Sequence, residues 1–143
     1  MIFVSLTRLR IRSLRFVPLF MGYAFRSVRQ VRKAQGFLGG AVLNDRNRAF
    51  WTMTAWDTMA SMRQFMNSGP HKRAMPHLLN WCDEASVAHW EQDNSALPGW
   101  IDAASRMRKS GRPSKVRYPS ADHAVLRFPE PRASSSVGIR PAT

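Results

Sequence analysis

The segment Ala49-Phe50-Trp51-Thr52-Met53-Thr54-Ala55-Trp56 constrains the fold of this chain more than any other. Side chains alternate along a strand, so Phe50, Thr52, Thr54 and Trp56 share one face while Trp51, Met53 and Ala55 share the other. Both faces carry large apolar groups, and neither can be left bare in water. Any sheet that takes in this strand must be covered on both sides.

The neighbouring sequence supplies the other elements. Ile2 to Leu9 is rich in β-branched and large apolar residues and reads as a strand. From Pro18 to about Ala34, apolar residues at 20, 21, 24, 25, 28 and 31 follow the helical period, with Arg26, Arg29, Arg32 and Lys33 largely off that stripe. Pro18 suits a first helical turn, and Gly36 suits the stop. Phe37 to Leu43 pairs with Ala49 to Trp56 as a hairpin across Asn44-Asp45-Arg46-Asn47-Arg48. After Asp57, a good N-cap, Met59, Met62, Phe65 and Met66 recur at helical spacing up to Ser68-Gly69-Pro70. A further helical stretch runs from about His71 to Cys82, and Ala85 to Glu91 is a last strand. The order predicts an α+β, ferredoxin-like βαββαβ fold, a four-stranded antiparallel sheet with its helices on one face. A sheet this small, bare on its other side, predicts a homodimer closed into a dimeric α/β barrel.

Residues 1–92 are thus expected to form the domain, 93–107 a short helical extension carrying Trp100 and Met107, and 108–143 a basic, mostly disordered tail. Six of the nine prolines lie at or after Pro98, and core formers are few beyond Arg108. The net charge of +13 is unevenly distributed: residues 1–48 hold ten Lys or Arg against one acid, 49–102 three against six, and 103–143 nine against two. The basic residues flank the densest apolar patterning and share no element with stacking aromatics, which argues against nucleic-acid recognition. The apolar run Leu14 to Phe25 contains Arg15 and Pro18 and is too short to span a bilayer. Its charges follow it, unlike those of a signal peptide, and an amphipathic helix resting on an anionic membrane is the membrane reading it permits. A single cysteine, Cys82, gives no disulfide within the chain and no cysteine-based zinc site, in keeping with a reducing, cytoplasmic setting.

The run Phe50 to Trp56, followed by an acid, a Met-rich helix and Ser68-Gly69-Pro70-His71, resembles the third strand and second helix of antibiotic-biosynthesis monooxygenase-like dimeric α/β barrels. Trp81-Cys82-Asp83-Glu84-Ala85-Ser86-Val87-Ala88-His89-Trp90 resembles uncharacterised bacterial members of that superfamily, including those near spheroidene monooxygenase. The resemblance covers roughly residues 1–92 and implies oxygen chemistry without a required cofactor. It matches Trp56 and His71 to the polar and aromatic set of the quinone-forming members. Thr52 stands where those members carry Asn, and Phe65 where many carry His.

The candidate site follows. Trp56 offers a stacking face, Thr52 a hydroxyl donor, and His71 a general base or donor toward an aromatic hydroxyl. Met53, Met62, Phe65 and His89 complete a lining for a greasy planar ligand, with Met59, Met66 and Met75 as further soft surface. Core packing explains the same methionines without any ligand. Haem is a second use for a histidine such as His89, provided space is open over its nitrogen. Asp83 and Glu84 are sequence neighbours and diverge, which disfavours a carboxylate pair. Nucleotide loops, a serine-hydrolase elbow and a zinc-protease motif are missing from the sequence. The leading expectation is a small monooxygenase-like protein oxidising a hydrophobic aromatic or polyene substrate. The alternatives are a non-catalytic haem- or hydrophobic-ligand-binding protein and a basic protein of membrane surfaces or nucleic acid.

Overall fold

The computed structural model describes residues 1–142. β1 (Ile2–Ile11) leads through a 3-10 turn at Leu14–Phe16 into α1 (Val17–Arg32), and β2 (Phe37–Asn44) and β3 (Ala49–Trp56) form the hairpin. α2 (Met59–Met66) and α3 (Gly69–Trp81) precede β4 (Cys82–Gln92). α4 (Trp100–Ser110), β5 (Arg112–Pro113) and β6 (Ser136–Ile139) complete the chain. Every strand pairing is antiparallel, in the order β5-β4-β1-β3-β2-β6.

Local chemistry sets the element ends. Gly36 follows α1 at φ +85°, a conformation glycine adopts without penalty, and a Cβ there would run into the side chains of Asp57 and Ser61. Thr58, not Asp57, caps α2: its hydroxyl oxygen accepts from the Ser61 amide. Asp45 in the hairpin loop is buried, and its carboxylate accepts from the Trp51 indole, the Arg46 amide and the Arg132 amide.

The sheet has six strands where four were expected, and its helices are not all on one face. α1, α2 and α3 cover one side, over Phe3, Phe37 and Trp56 and over Ile11, Phe20 and Trp81. α4 covers the other. Its Trp100, Ala103, Ala104 and Met107, spaced at one helical stripe, pack with Val4, Leu6, Leu43, Trp51, Met53, Ala55 and Ala88. Phe128 closes the same cluster, edge-on to Trp51 with ring centroids 5.3 Å apart. The face on which a homodimer was expected to form is therefore covered by this chain's own residues.

The segment from residue 108 departs from its expected irregularity. β5 adds to the β4 edge and β6 to the β2 edge, while Phe128 and Ile139 are buried. Edge pairing draws on backbone groups, so a Pro-, Ser- and Arg-rich segment joins the sheet with few apolar anchors, Phe128 and Ile139 among them.

Candidate functional site

The helix-covered side of the sheet carries the candidate residues, and strand register arranges them in rows. Ser5 lies opposite Thr54 on one neighbour and His89 on the other; Thr7 lies opposite Thr52 and Val87; Phe3 lies opposite Trp56. Residues directly opposite share a face, so four hydroxyls and an imidazole lie in rows beside an aromatic pair. Thr54 Oγ1 accepts from Trp56 Nε1 at 2.9 Å, which fixes the plane of the buried indole. Thr52 and Thr7 are half-buried and have no such internal partner among the described hydrogen bonds.

A chain of rings joins the sheet to the helices. Phe65 on α2 lies 5.5 Å from Trp56 and 4.8 Å from His71, ring centre to ring centre, and Met62 packs in the same cluster. Phe3 lies 5.1 Å from His89 on the far side of that cluster. The structure thus gathers Trp56, Met62, Phe65, His71 and His89 around one apolar core, with Thr52 on the same face one row along. Met53 is not among them. Strand alternation sends it to the α4 side, where it is buried against that helix's cluster. Met59 and Met75 are exposed on the surface, so the methionines form no continuous lining.

Burial favours the neutral ring of both His71 and His89. Burial lowers the pKa of His71, opposed by its hydrogen bond to the Met66 carbonyl. That bond, with Nδ1 3.3 Å from the oxygen, requires the proton on Nδ1 and leaves Nε2 as a base. Burial also lowers His89, with the charges of Arg112 and Arg63 acting in the same direction. His89 Nε2 is buried and has no hydrogen-bond partner. An unpaired ring nitrogen is costly to hold there, and a ligand hydroxyl would satisfy it.

Sequence reasoning passed over Gln30. Its Nε2 donates to the carbonyls of Ser68 and Phe65, and its Oε1 accepts from the His71 amide at 2.9 Å. One side chain of α1 thereby holds the start of α3 and the end of α2, and so sets the position of Phe65 and His71. A lone polar residue beside an apolar helical stripe gave no such signal. Ser5, Thr7 and Thr54 were missed for a related reason, since hydroxyls inside a strand become a row only once the register is known.

The opposite face has a polar cluster of another kind. Arg8 Nη1 donates to Glu84 Oε1 at 2.6 Å, with both side chains almost fully buried, and Ser120 and Arg10 bond the other carboxylate oxygen. Burial alone would raise the Glu84 pKa, but the hydrogen bonds from Arg8 and Ser120 and the charges of Arg8 and Arg10 hold it below the usual range. Cys82 is buried, and that burial pushes its thiol up to about 12, so it offers no thiolate. Among the described residues no group of three His, Cys, Asp or Glu is placed to hold a metal. Two cavities lie elsewhere: a small one beside Glu84 and His123, and one of about 340 Å³ between α1 and β6.

No family model matches the sequence, and no curated protein matches it. Solved structures match its fold. An antibiotic biosynthesis monooxygenase aligns at TM-score 0.57 and 13% identity, over 66% of this chain and 100% of that one. A variant of SnoaB, a cofactor-independent oxygenase from Streptomyces nogalater, aligns at 0.52 and 14% over 68% and 98%. A conserved protein from Methanosarcina mazei Go1 aligns at 0.58 and 16% over 65% and 94%. The chain has the fold of antibiotic-biosynthesis monooxygenase-like proteins, and about a third of it lies outside each match.

Proposed function

We propose that this protein is a small, cofactor-independent oxygenase acting on a hydrophobic aromatic or polyene substrate between the sheet and the α1–α3 layer. The observation that carries this reading is the buried and unpartnered Nε2 of His89, whose ring lies against Phe3 on the sheet face that also carries Trp56, with Phe65 and His71 packed over that face. The printed description of SnoaB as a cofactor-independent oxygenase, on a protein of the same fold, supports the class of chemistry.

In this reading Trp56 and Phe65 stack on the planar substrate, and Thr52 donates a hydrogen bond to its oxygen. A neutral imidazole, His71 or His89, takes the proton of an aromatic hydroxyl, leaving an electron-rich anion. With O₂ as the only co-reactant the conversion balances as a ring-flanked CH₂ becoming C=O, with one oxygen atom retained and the other released as water.

An oxygen electrode tests the proposal, with purified protein, polycyclic phenols and no added cofactor. Oxygen uptake is expected from the parent and is expected to fall at least a hundredfold in His89→Phe or His71→Phe, the size of a lost general base. Quenching of tryptophan fluorescence by the same phenols, without oxygen uptake, would instead leave a ligand-binding protein.

A further inference from the structure

We propose that the α1–α3 layer is a docking surface for an anionic lipid membrane, with α1 lying along the bilayer interface. Leu14, Leu19, Met21 and Phe25 stand 71%, 55%, 46% and 66% exposed on α1 and the turn before it. By helical period, positions 18, 22, 25 and 29 mark the middle of the exposed face, with Leu19 and Arg26 on one flank and Met21 and Arg32 on the other. Apolar groups and cations thus share one surface.

The charge carried by these helices has a single sign. Residues 12–36 and 58–82, which contain all of α1, α2 and α3, hold nine Lys or Arg and no Asp or Glu. Among the described residues none of those nine takes part in an ion pair; every ion pair lies on the sheet edges or the α4 side. The nearest side-chain carboxylate is that of Asp57, at the end of the layer beside Gly36 and Ser61, away from the exposed face centred on Gly22. A positively charged face studded with protruding apolar side chains complements anionic headgroups above a hydrocarbon boundary.

Gly22 adds an independent sign. It sits in the middle of the exposed face of α1, where glycine weakens a helix, and a Cβ built on it meets nothing within 4 Å. Packing within the chain does not call for a glycine there, whereas a smooth mid-face lets the helix approach a plane closely. No helix among the described residues is long and apolar enough to cross a membrane, so the contact is peripheral. Nucleic acid would match the charge but offers its backbone nothing to gain from Leu14, Leu19 and Met21. A second copy would bring two strongly basic helical faces together, which their like charge opposes.

This inference does not depend on the catalytic reading, because the docking face lies on the outer side of the helices. The test is co-sedimentation of the full chain with vesicles of phosphatidylcholine alone or mixed with phosphatidylglycerol. Binding is expected to the mixed vesicles only and to fall as salt rises. Arg26→Gln with Arg29→Gln should weaken partitioning about thirtyfold, given the usual contribution of each cation near an anionic surface. Leu19→Ser with Phe25→Ser should weaken it without changing the salt slope. Gly22→Glu, which has room for its side chain, should abolish binding while circular dichroism and oxygen uptake stay at parental level. Equal pelleting with both vesicle types would overturn the proposal, as would parental binding by Gly22→Glu. So would tighter retention on duplex DNA that survives Leu19→Ser with Phe25→Ser.

Discussion

The two sides of the sheet are built from alternate residues of the same strands, yet they differ in kind. The side under α1, α2 and α3 mixes aromatic rings with the hydroxyls of Ser5, Thr7, Thr52 and Thr54 and the imidazole of His89. The side under α4 is a dry cluster in which Leu6, Trp51, Met53, Ala55 and Met107 are almost completely excluded from water, bordered by the single buried Arg8–Glu84 pair. One side has polar atoms to spare for a ligand. The other uses nearly all of its surface to hold the chain together, so substitutions should separate stability from activity along this division.

The largest effect is expected from ending the chain at Ala96. This removes Trp100, Ala103, Ala104, Met107 and Phe128 from the cluster and leaves Trp51 and Met53 facing solvent. The full chain should be monomeric by light scattering, whereas the shortened chain should self-associate or fail to fold; a well-behaved shortened monomer would refute the assigned role of α4. Next in size, Glu84→Ala leaves Arg8 buried without its partner and should cost about 3–5 kcal/mol in urea unfolding. The double change Arg8→Met with Glu84→Leu should cost less than that single change, because no buried charge at position 8 is then left unpaired.

Neighbours on β3 give the most direct contrast. Met53→Ala should cost about 2–5 kcal/mol of stability, while Thr52→Ala should cost less than about 1 kcal/mol yet raise KM for a phenolic substrate. Equal losses of stability at the two positions would erase the distinction between the faces. Gln30→Ala should cost about 1–3 kcal/mol, since two carbonyls and the His71 amide lose their partner. Under the proposed function Gln30 acts through Phe65 and His71, so Gln30→Glu, which keeps the acceptor for the His71 amide, should retain more of kcat than Gln30→Ala.

The smallest effect is a pH slope. His71 and His89 have folded pKa values below 6.5, so their contribution to stability is complete above 6.5 and is lost as pH falls through the lowered values. Melting temperature should decline over that range, and less steeply in His71→Phe with His89→Phe. Glu84 also has a lowered pKa, so its contribution is present above 4.5 and disappears only in stronger acid. The two faces should therefore give up stability in separate pH windows.

Much of this was legible in local pattern. The alternation of residues 49–56 placed a strand whose two faces both demand cover, and the helical period of α1, with Pro18 at its start and Gly36 past its end, needed no distant information. Trp56, Met62, Phe65 and His71 were also readable as a set, because a strand end, a short helix and a turn follow one another directly. Met53 was assigned to that set by its chemistry although its parity already placed it opposite. Thr58 displaced Asp57 as the cap of α2 because only its side chain bonds the Ser61 amide.

What covers the second face of β3 was a different question. The sequence by itself determined that a cover had to exist, since burial of apolar surface on both sides of a strand is demanded by water alone. Only the tertiary structure decided that α4 and Phe128 provide it, that the basic C-terminal segment adds strands to both sheet edges, and that Gln30 and the hydroxyl rows frame the site. The physical reason is range. Periodicity and capping are properties of residues within a few positions of one another, whereas edge pairing and the meeting of α4 with β3 join residues dozens of positions apart and depend on which backbone groups and which apolar surface the rest of the fold leaves free.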